Sequence, residues 1–365
     1  MGQELEKDAK SRGLNSDGVI HIPGLLARRV RLANGANCYY VTAGEDGPAV
    51  ILLHGGIEGS SGTAGWRFMA TMLGANGFRV YCPDRPGFGL SDVSKPEYLE
   101  QGPKAQVDFV TMFADALCID KFHLSGNSAG CMIAANYVVH NPERVLSVAF
   151  IAGGLGDVTE QPRVPGTQSK FSSNPVYVSP GFDGTEAGMK TLMDGIIYEA
   201  KAIWPELSKM RVAAATRQRA ARPGETAQER QQRFMNDPLA KVTFTTKNRI
   251  NKLDVPMIYL YGLQDVLIPV ENGFNQEDSA ENIQFFYPDE CGHQGQTDQP
   301  DMFNNALMEF FRDGKVSWKT AQWAGVSRRR AINPKFVQEP AGGFPKAVRE
   351  AYSDPVSLKK ALETK

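Results

Sequence analysis

His123-Leu124-Ser125-Gly126-Asn127-Ser128-Ala129-Gly130-Cys131-Met132 is the stretch on which the fold of this 365-residue chain turns. Phe122 to Ser125 reads as the end of a buried strand, and Ala129 to Val139 as a helix with a small, apolar inner face. Between them, Gly126-Asn127-Ser128-Ala129-Gly130 fits G-x-S-x-G, in which a strand turns abruptly into a helix. The two glycines remove the Cβ atoms that would collide in so sharp a turn, and the Ser128 hydroxyl is lifted clear of the backbone. An isolated match of this kind can be an ordinary Gly-Ser turn. A strand before it and a helix after it favour a serine presented for chemistry.

Working outward, the flanks repeat the same alternation. Upstream, Ala33-Asn34-Gly35-Ala36-Asn37 reads as a hairpin-like turn between Val30–Leu32 and Cys38–Val41. Pro48 to Leu53 is a continuous apolar run, expected of a strand covered on both faces, and it empties into the glycine-rich stretch His54 to Gly62. A helix over Trp66–Leu73, a strand over Phe78–Cys82 and the loop Asp84-Arg85-Pro86-Gly87-Phe88-Gly89-Leu90-Ser91-Asp92 follow. Downstream of a helix at 104–118 and the serine turn, Val145–Ala152 is a further strand. Strands alternating with helices predict an α/β fold with a mostly parallel, doubly wound sheet.

The character changes at Gly153. Residues 154–183 are rich in Gly, Pro and Ser, and 186–250 read as polar helix without buried strands. Pro256–Tyr261 and Ile283–Tyr287 then restore the strand pattern, and Met302–Arg312 is an amphipathic closing helix. Because the sheet resumes, the interval reads as an inserted helical cap over the carboxyl ends of the strands, rather than an independent helical domain. The expected organisation is core over 1–153, cap over 154–250, core again over 251–313 and a C-terminal extension over 314–365. Residues 1–20 read as a polar arm. Arg328-Arg329-Arg330 in the extension reads as a solvated or interface-facing run, and Trp318 and Trp323 suggest that part of the extension packs.

Bulk composition is that of an ordinary globular protein, with 42% apolar and 22% charged residues. A net charge of −1 gives no electrostatic case for nucleic acid or an anionic membrane, and no apolar stretch is long enough to span a bilayer. The first residues are charged and lack an apolar signal core. With five scattered cysteines (Cys38, Cys82, Cys118, Cys131, Cys291) lacking metal-ligand spacing, this suggests a cytoplasmic protein with reduced thiols. The expected partner is a small-molecule substrate, with neither metal nor organic cofactor, and a homo-oligomer remains open.

A serine hydroxyl needs a base, and the base needs an orienting acid. His293, in Glu290-Cys291-Gly292-His293-Gln294-Gly295-Gln296, is the only histidine of the second half and follows the last strand. Asp265 is the single carboxylate of Gly262 to Pro269, on the loop after the 256–261 strand, where an Asx-turn role is compatible with a catalytic one. Glu271 and Asp278 are the fallbacks. The developing oxyanion needs two backbone N–H donors. Ala129 should give one and the 54–57 loop the other, through Gly56 with Gly55 beside it. His54, His21, His123 and His140 read as structural.

At this point the chain resembles the α/β-hydrolase superfamily over about residues 30–313. Leu52-Leu53-His54-Gly55-Gly56, the Asp84–Asp92 loop, the serine elbow and the Asp265 and His293 loops fall in that superfamily's order. Within it the sequence is similar to meta-cleavage product hydrolases, which hydrolyse a carbon–carbon bond in vinylogous diketo acids from aromatic-ring degradation. The likeness rests on Gly126-Asn127-Ser128, on Gly153-Gly154-Leu155-Gly156 opening the cap, and on Cys291-Gly292-His293 with Gln296.

The resemblance implies a cap-helix arginine holding the substrate's acid end, and Arg211 in Leu207-Ser208-Lys209-Met210-Arg211 has that context. The other reading of Arg211 is a solvated helix arginine among Arg217, Arg219 and Arg222. Ile57, Asn127 and Gln294 are the further expected substrate contacts. Three departures stand out: the family usually has Trp where Gln294 stands and Asn where Phe68 follows Gly65-Trp66-Arg67, and the 314–365 extension lies outside its pattern. The expected activity is carbon–carbon hydrolysis through an acyl-enzyme. The alternatives are an esterase or lactonase on a small, carboxylate-bearing ester such as an aromatic monoester, and a non-catalytic binding module. A Ser at the elbow argues against haloalkane or epoxide chemistry, which wants Asp there.

Overall fold

The computed structural model describes residues 13–99, 102–166, 169–172, 181–226, 229, 232 and 245–364. Eight strands form one sheet: β1 (Leu26–Arg31), β2 (Asn37–Ala43), β3 (Ala49–Leu53), β4 (Arg79–Pro83), β5 (Phe122–Asn127), β6 (Val145–Ile151), β7 (Met257–Leu260) and β8 (Gln284–Phe286). Their order is β1-β2-β4-β3-β5-β6-β7-β8, with β1–β2 and β2–β4 antiparallel and the other pairs parallel. The five residues of β3 are all buried, the outcome expected of an unbroken apolar run covered on both faces.

Helices cover the two faces and divide the interior in two. On one side lie α1 (Gly62–Trp66), α2 (Met69–Ala75) and the closing helix Pro300–Asp313. On the other lie α3 (Pro103–Ala116) and α4 (Ala129–His140). The expected single helix over 66–73 is instead broken. Arg67 sits at the break, buried, with Nη1 donating to Ala64 O at 2.9 Å and Nη2 to Ala202 O at 2.6 Å. A core guanidinium thus reaches across to the inserted segment, which a continuous α1–α2 rod would not bring about.

Between β6 and β7 the chain leaves the sheet. The described part of this excursion holds α5 (Glu186–Asp194) and α6 (Pro205–Ala220). The expectation of helix over 233–244 lies outside the described residues. At the exit, Tyr259 Oη accepts from Gly153 N at 2.8 Å, and Gln276 Oε1 accepts from Leu155 N at 2.7 Å. At the return, Asp157 Oδ1 accepts from Thr246 N at 2.7 Å and Lys247 N at 3.0 Å. Exit and return are therefore tied to each other and to the sheet.

Two expectations about the ends need correcting. Residues 1–12 lie outside the described residues, but from Gly13 onward the segment is not a free arm. Leu14 and Ile20 form a bridge, and Val19, Ile20 and Ile22 are buried in the core. Nor is the arginine run of the extension solvated. After β7 the chain forms α7 (Glu271–Ser279), and after β8 come α8 (Gly295–Asp298) and α9 (Pro300–Asp313), followed by α10 (Trp318–Trp323) and α11 (Pro355–Glu363). Arg328 is 3% exposed, and Arg329 pairs with Glu277 at 3.1 Å and Asp278 at 2.9 Å. Arg330 donates to the carbonyls of Glu277 and Ala280 at the C-terminal end of α7, where positive charge is favoured, and to that of Ile283 just before β8. Of the two tryptophans, Trp318 packs against the core and Phe344, whereas Trp323 is half-exposed.

Candidate active site

Ser128 follows directly on β5, the central strand flanked by β3 and β6. Its backbone sits at φ 58°, ψ −118°, an uncommon conformation for a residue with a Cβ, and its N–H is held by Ile151 O at 3.0 Å. The flanking glycines are required by closeness. A Cβ on Gly126 would lie 2.1 Å from Gly130 O, and one on Gly130 would lie 2.2 Å from Leu53 O. Helix α4 can therefore start immediately above β5, with Ala129 N–H at its open N-terminus.

The 54–56 loop is fixed against this turn by Arg85, to which the sequence assigned no role, and by His54, which it marked as structural. Arg85 is buried and donates Nε to His54 O at 3.1 Å, Nη2 to Gly55 O at 2.8 Å and Nη1 to Gln106 Oε1 at 2.9 Å. His54 Nδ1 also meets Gly55 O at 2.8 Å, while its Nε2 accepts from Arg85 N at 3.0 Å. These partners set the tautomer, with the proton on Nδ1. Burial, assisted by the charges of Arg85 and Arg211, holds the imidazole pKa well below 6.5. His54 is thus a neutral brace with both nitrogens engaged.

In a trans peptide the C=O and the following N–H point in opposite directions. With Gly55 O turned toward Arg85 and His54, the Gly56 N–H turns away from them. A Cβ on Gly56 would lie 3.1 Å from the Ala129 Cβ, and one on Gly55 would lie 3.3 Å from the Ser128 Cβ. Among the described residues Gly56 N makes no backbone hydrogen bond. The motif Asp84-Arg85-Pro86 was visible in the sequence, but the carbonyls that Arg85 grips are thirty residues away along the chain.

Asp265, fully buried on the loop after β7, accepts from His293 Nδ1 through Oδ2 at 2.7 Å. Its Oδ1 accepts from Leu267 N at 3.0 Å and Ile268 N at 2.8 Å. The Asp265 and His293 loops are joined directly: Gln264 N donates to Cys291 O, and Cys291 N to Gln264 Oε1, both at 2.9 Å. His293 is buried, and its Nε2 makes no hydrogen bond among the described residues. The fallback carboxylates are occupied elsewhere, Glu271 with Lys170 N and Asp278 with Arg329 and Arg349.

The remaining expected contacts separate. Asn127 Nδ2 donates to His293 O at 2.9 Å, tying the serine turn to the histidine loop, which leaves the buried Oδ1 without a partner among the described residues. Ile57 is half-buried against the core. Gln294 is buried, with its backbone N–H on Ile196 O at 2.8 Å and its Oε1 unpaired among the described residues.

Arg211 differs from its neighbours on α6. Arg217 reaches Gly89 O, and Arg219 pairs with Glu58. Arg211 is wholly buried and has no carboxylate partner, and its Nε and Nη1 lack hydrogen bonds among the described residues. Burial lowers its pKa to about 10. Its backbone lies against Gly59, where a Cβ would be 2.5 Å from Arg211 O, and its charge reaches His54. The solvated reading of this arginine is therefore excluded.

Among the described residues no group of His, Cys, Asp or Glu could hold a metal ion, and no helix is long and apolar enough to cross a membrane.

Comparison with known proteins follows the same lines. A family model described as the alpha/beta hydrolase fold matches residues 48–300. A 2-hydroxy-6-oxo-6-phenylhexa-2,4-dienoate hydrolase of Burkholderia cepacia is 28% identical over 274 residues, covering 73% of this chain and 89% of that protein. A 2-hydroxy-6-oxononadienedioate/2-hydroxy-6-oxononatrienedioate hydrolase of Pseudomonas putida is 26% identical over 288 residues, covering 77% and 95%. Among solved structures, a serine hydrolase involved in carbazole degradation superposes with a TM-score of 0.61 at 26% identity, covering 79% of this chain and 99% of that one.

Proposed function

The chain belongs to the α/β-hydrolase family, and on that premise we propose that it is a serine hydrolase cleaving a carbon–carbon bond in a vinylogous diketo acid. Ser128, His293 and Asp265 form its triad. The observation that carries the substrate class is Arg211. A buried guanidinium with unpaired donors is costly unless an anion completes it, and a carboxylate does so with two parallel hydrogen bonds. The names of the relatives, hydrolases of hydroxy-oxo-dienoates, agree with that choice.

In this reading Arg211 holds the acid end, and the substrate's dienol shifts to its keto form in the site. With Nδ1–H committed to Asp265, His293 has Nε2 available to take the Ser128 proton. Ser128 Oγ attacks the ketone, and the N–H groups of Ala129 and Gly56 receive the oxyanion. His293 then delivers its proton to the departing carbanion, and the C–C bond breaks to leave an acyl-serine. A water deprotonated by His293 releases the second acid and restores the hydroxyl.

The same groups would cleave an ester or lactone with an alkoxide leaving. Gln294 favours keeping that reading: a buried amide with an unpaired oxygen stands where the resembled hydrolases usually carry an indole. The two are separated by offering the protein a ring-fission dienol acid and, separately, p-nitrophenyl esters and a phthalate monoester, with Ser128→Ala and Arg211→Gln alongside. Carbon–carbon hydrolysis predicts fast loss of dienol absorbance, absent in Ser128→Ala, with slow ester turnover. Arg211→Gln should raise KM for the acid about 10- to 100-fold. Fast ester turnover with the dienol untouched would instead make the protein an esterase. Inactivity toward both, with Ser128 unlabelled by a fluorophosphonate, would point to a binding module.

A further inference from the structure

Asp298 closes the short helix α8, five residues after His293, and is 1% exposed. No positive charge among the described residues pairs with it. Its carboxylate is instead divided between two parts of the molecule. Oδ1 accepts from Tyr198 N at 2.8 Å and Glu199 N at 3.0 Å, both in the inserted segment between α5 and α6. Oδ2 accepts from Gly292 N at 2.8 Å, on the residue immediately before His293.

On the other side of the histidine, Gln294 N donates to Ile196 O at 2.8 Å. His293 is therefore bracketed, at 292 and at 294, by bonds leading to the one cap segment 196–199. The fit leaves little slack: a Cβ on Gly292 would lie 3.2 Å from Tyr198 N, 3.3 Å from Tyr198 Cβ and 3.4 Å from Asp298 Oδ2. Helix α8 is tied back to the same loop, with Thr297 N and Asp298 N both donating to Gln294 O at 2.7 and 3.1 Å. A shift of 196–199 must accordingly move the backbone on both sides of the imidazole.

We infer that Asp298 is a positioning residue that sets the alignment of His293 by fastening it to the seated cap. This rests on the reading of His293 as the base. The inserted segment and the histidine loop share this one carboxylate, which therefore carries the segment's position to the proton acceptor. An ionised carboxylate accepts all three N–H groups. In Asp298→Asn, one oxygen is replaced by NH₂, which would oppose a backbone N–H and lose that bond.

The test measures kcat and KM separately on whichever substrate the wild-type protein turns over, together with the rate of Ser128 labelling by a fluorophosphonate. Asp298→Asn should lower kcat about 30-fold and slow labelling in parallel, with KM changed less than about threefold, as expected of a misplaced base rather than a lost substrate contact. Glu199→Pro removes one of the three donors, and the φ of −82° at Glu199 suits proline. It should lower kcat by a smaller factor, about threefold to tenfold. The double variant should lose little more than Asp298→Asn alone, because both changes cut one link.

If Asp298→Asn does not fold, Glu199→Pro carries the test by its own kcat-to-KM split. Unchanged kcat in a folded Asp298→Asn protein overturns the inference, as do losses that multiply in the double variant or a fall that lies wholly in KM. His293→Ala distinguishes the two levels. If it stays active, the reading of the base has failed, whereas a dead His293→Ala beside a fully active Asp298→Asn sinks this inference alone.

Discussion

The two oxygens of Asp265 carry separate loads, Oδ1 closing its own turn through Leu267 N and Ile268 N and Oδ2 orienting His293. That division makes Asp265→Asn a clean probe. The amide oxygen can keep the turn, while the amide NH₂ opposite Nδ1 forces the imidazole proton onto Nε2, where the serine proton should arrive. We expect kcat to fall by about three to four orders of magnitude with KM little changed and thermal melting within a few degrees of wild type. A rate within tenfold of wild type would remove Asp265 from the proposed triad. At this scale the sequence was informative about Ser128, Asp265 and His293, because each lies on a loop following a recognisable strand. It was silent about Arg85, whose partners are the main-chain carbonyls of His54 and Gly55. No side-chain pattern records those.

At the scale of elements, the extension after α9 is part of the core's construction. Tyr287 N donates to Gly325 O at 2.7 Å and Ser327 N to Phe285 O at 2.9 Å, so the chain pairs along the outer edge of β8. An open strand edge would otherwise invite pairing with other chains. The arginine run fastens this segment to α7, where Glu277 is 1% exposed and also accepts from Tyr287 Oη at 2.7 Å. Without Arg329 the buried Glu277 keeps only the more distant Arg330, at 3.8 Å, so its charge is poorly compensated. Arg329→Ala should therefore lower unfolding free energy by roughly 3 kcal/mol, read as an earlier urea midpoint, with kcat of the folded protein unchanged. A change under about 0.5 kcal/mol would return the run to the solvated role expected from sequence. That expectation erred because a charge run does not name its partners, and Glu277 and Asp278 stand about fifty residues upstream.

For the whole molecule, two buried carboxyls held mainly by backbone N–H groups, Asp84 and Asp298, make stability depend on pH in an unusual direction. Asp84 accepts from Gly62 N at 2.7 Å and Leu90 N at 2.8 Å. Burial nevertheless pushes its pKa up to about 7, against the pull of these bonds and of Arg217 and Arg29. Asp298 is raised to about 7 by burial as well, with Glu199 adding to the rise. An unfolded Asp loses its proton near 4 and these folded ones near 7, so folding takes up protons in between. Their contribution to stability therefore falls as pH rises through that window. Asp92 and Asp157, held below the usual range, act oppositely at lower pH. The informative quantity is thus a difference between proteins. Asp84→Asn should be less stable than wild type at pH 4.5, yet its urea midpoint should fall less steeply between pH 4.5 and 7. Parallel slopes would show that Asp84 titrates at its ordinary value.

The succession of strands along the chain, the helices flanking β5, the insertion after β6 and the loops bearing Ser128, Asp265 and His293 could be read in the sequence, whereas the break at Arg67 and helix α7 could not. The former follow from local physics: apolar runs, glycine at close approaches, and the turn chemistry of short polar side chains. The tertiary structure decided what depends on distance. It buried Arg211 with no carboxylate partner among the described residues, turned the Gly55–Gly56 peptide with Arg85 and His54, tied the inserted segment to the histidine loop through Asp298, and drew the arginine run onto α7. Each of these is a charged or polar group whose state depends on partners far along the chain. Burial and pairing are properties of the packed interior, and a linear pattern of residue types does not contain them.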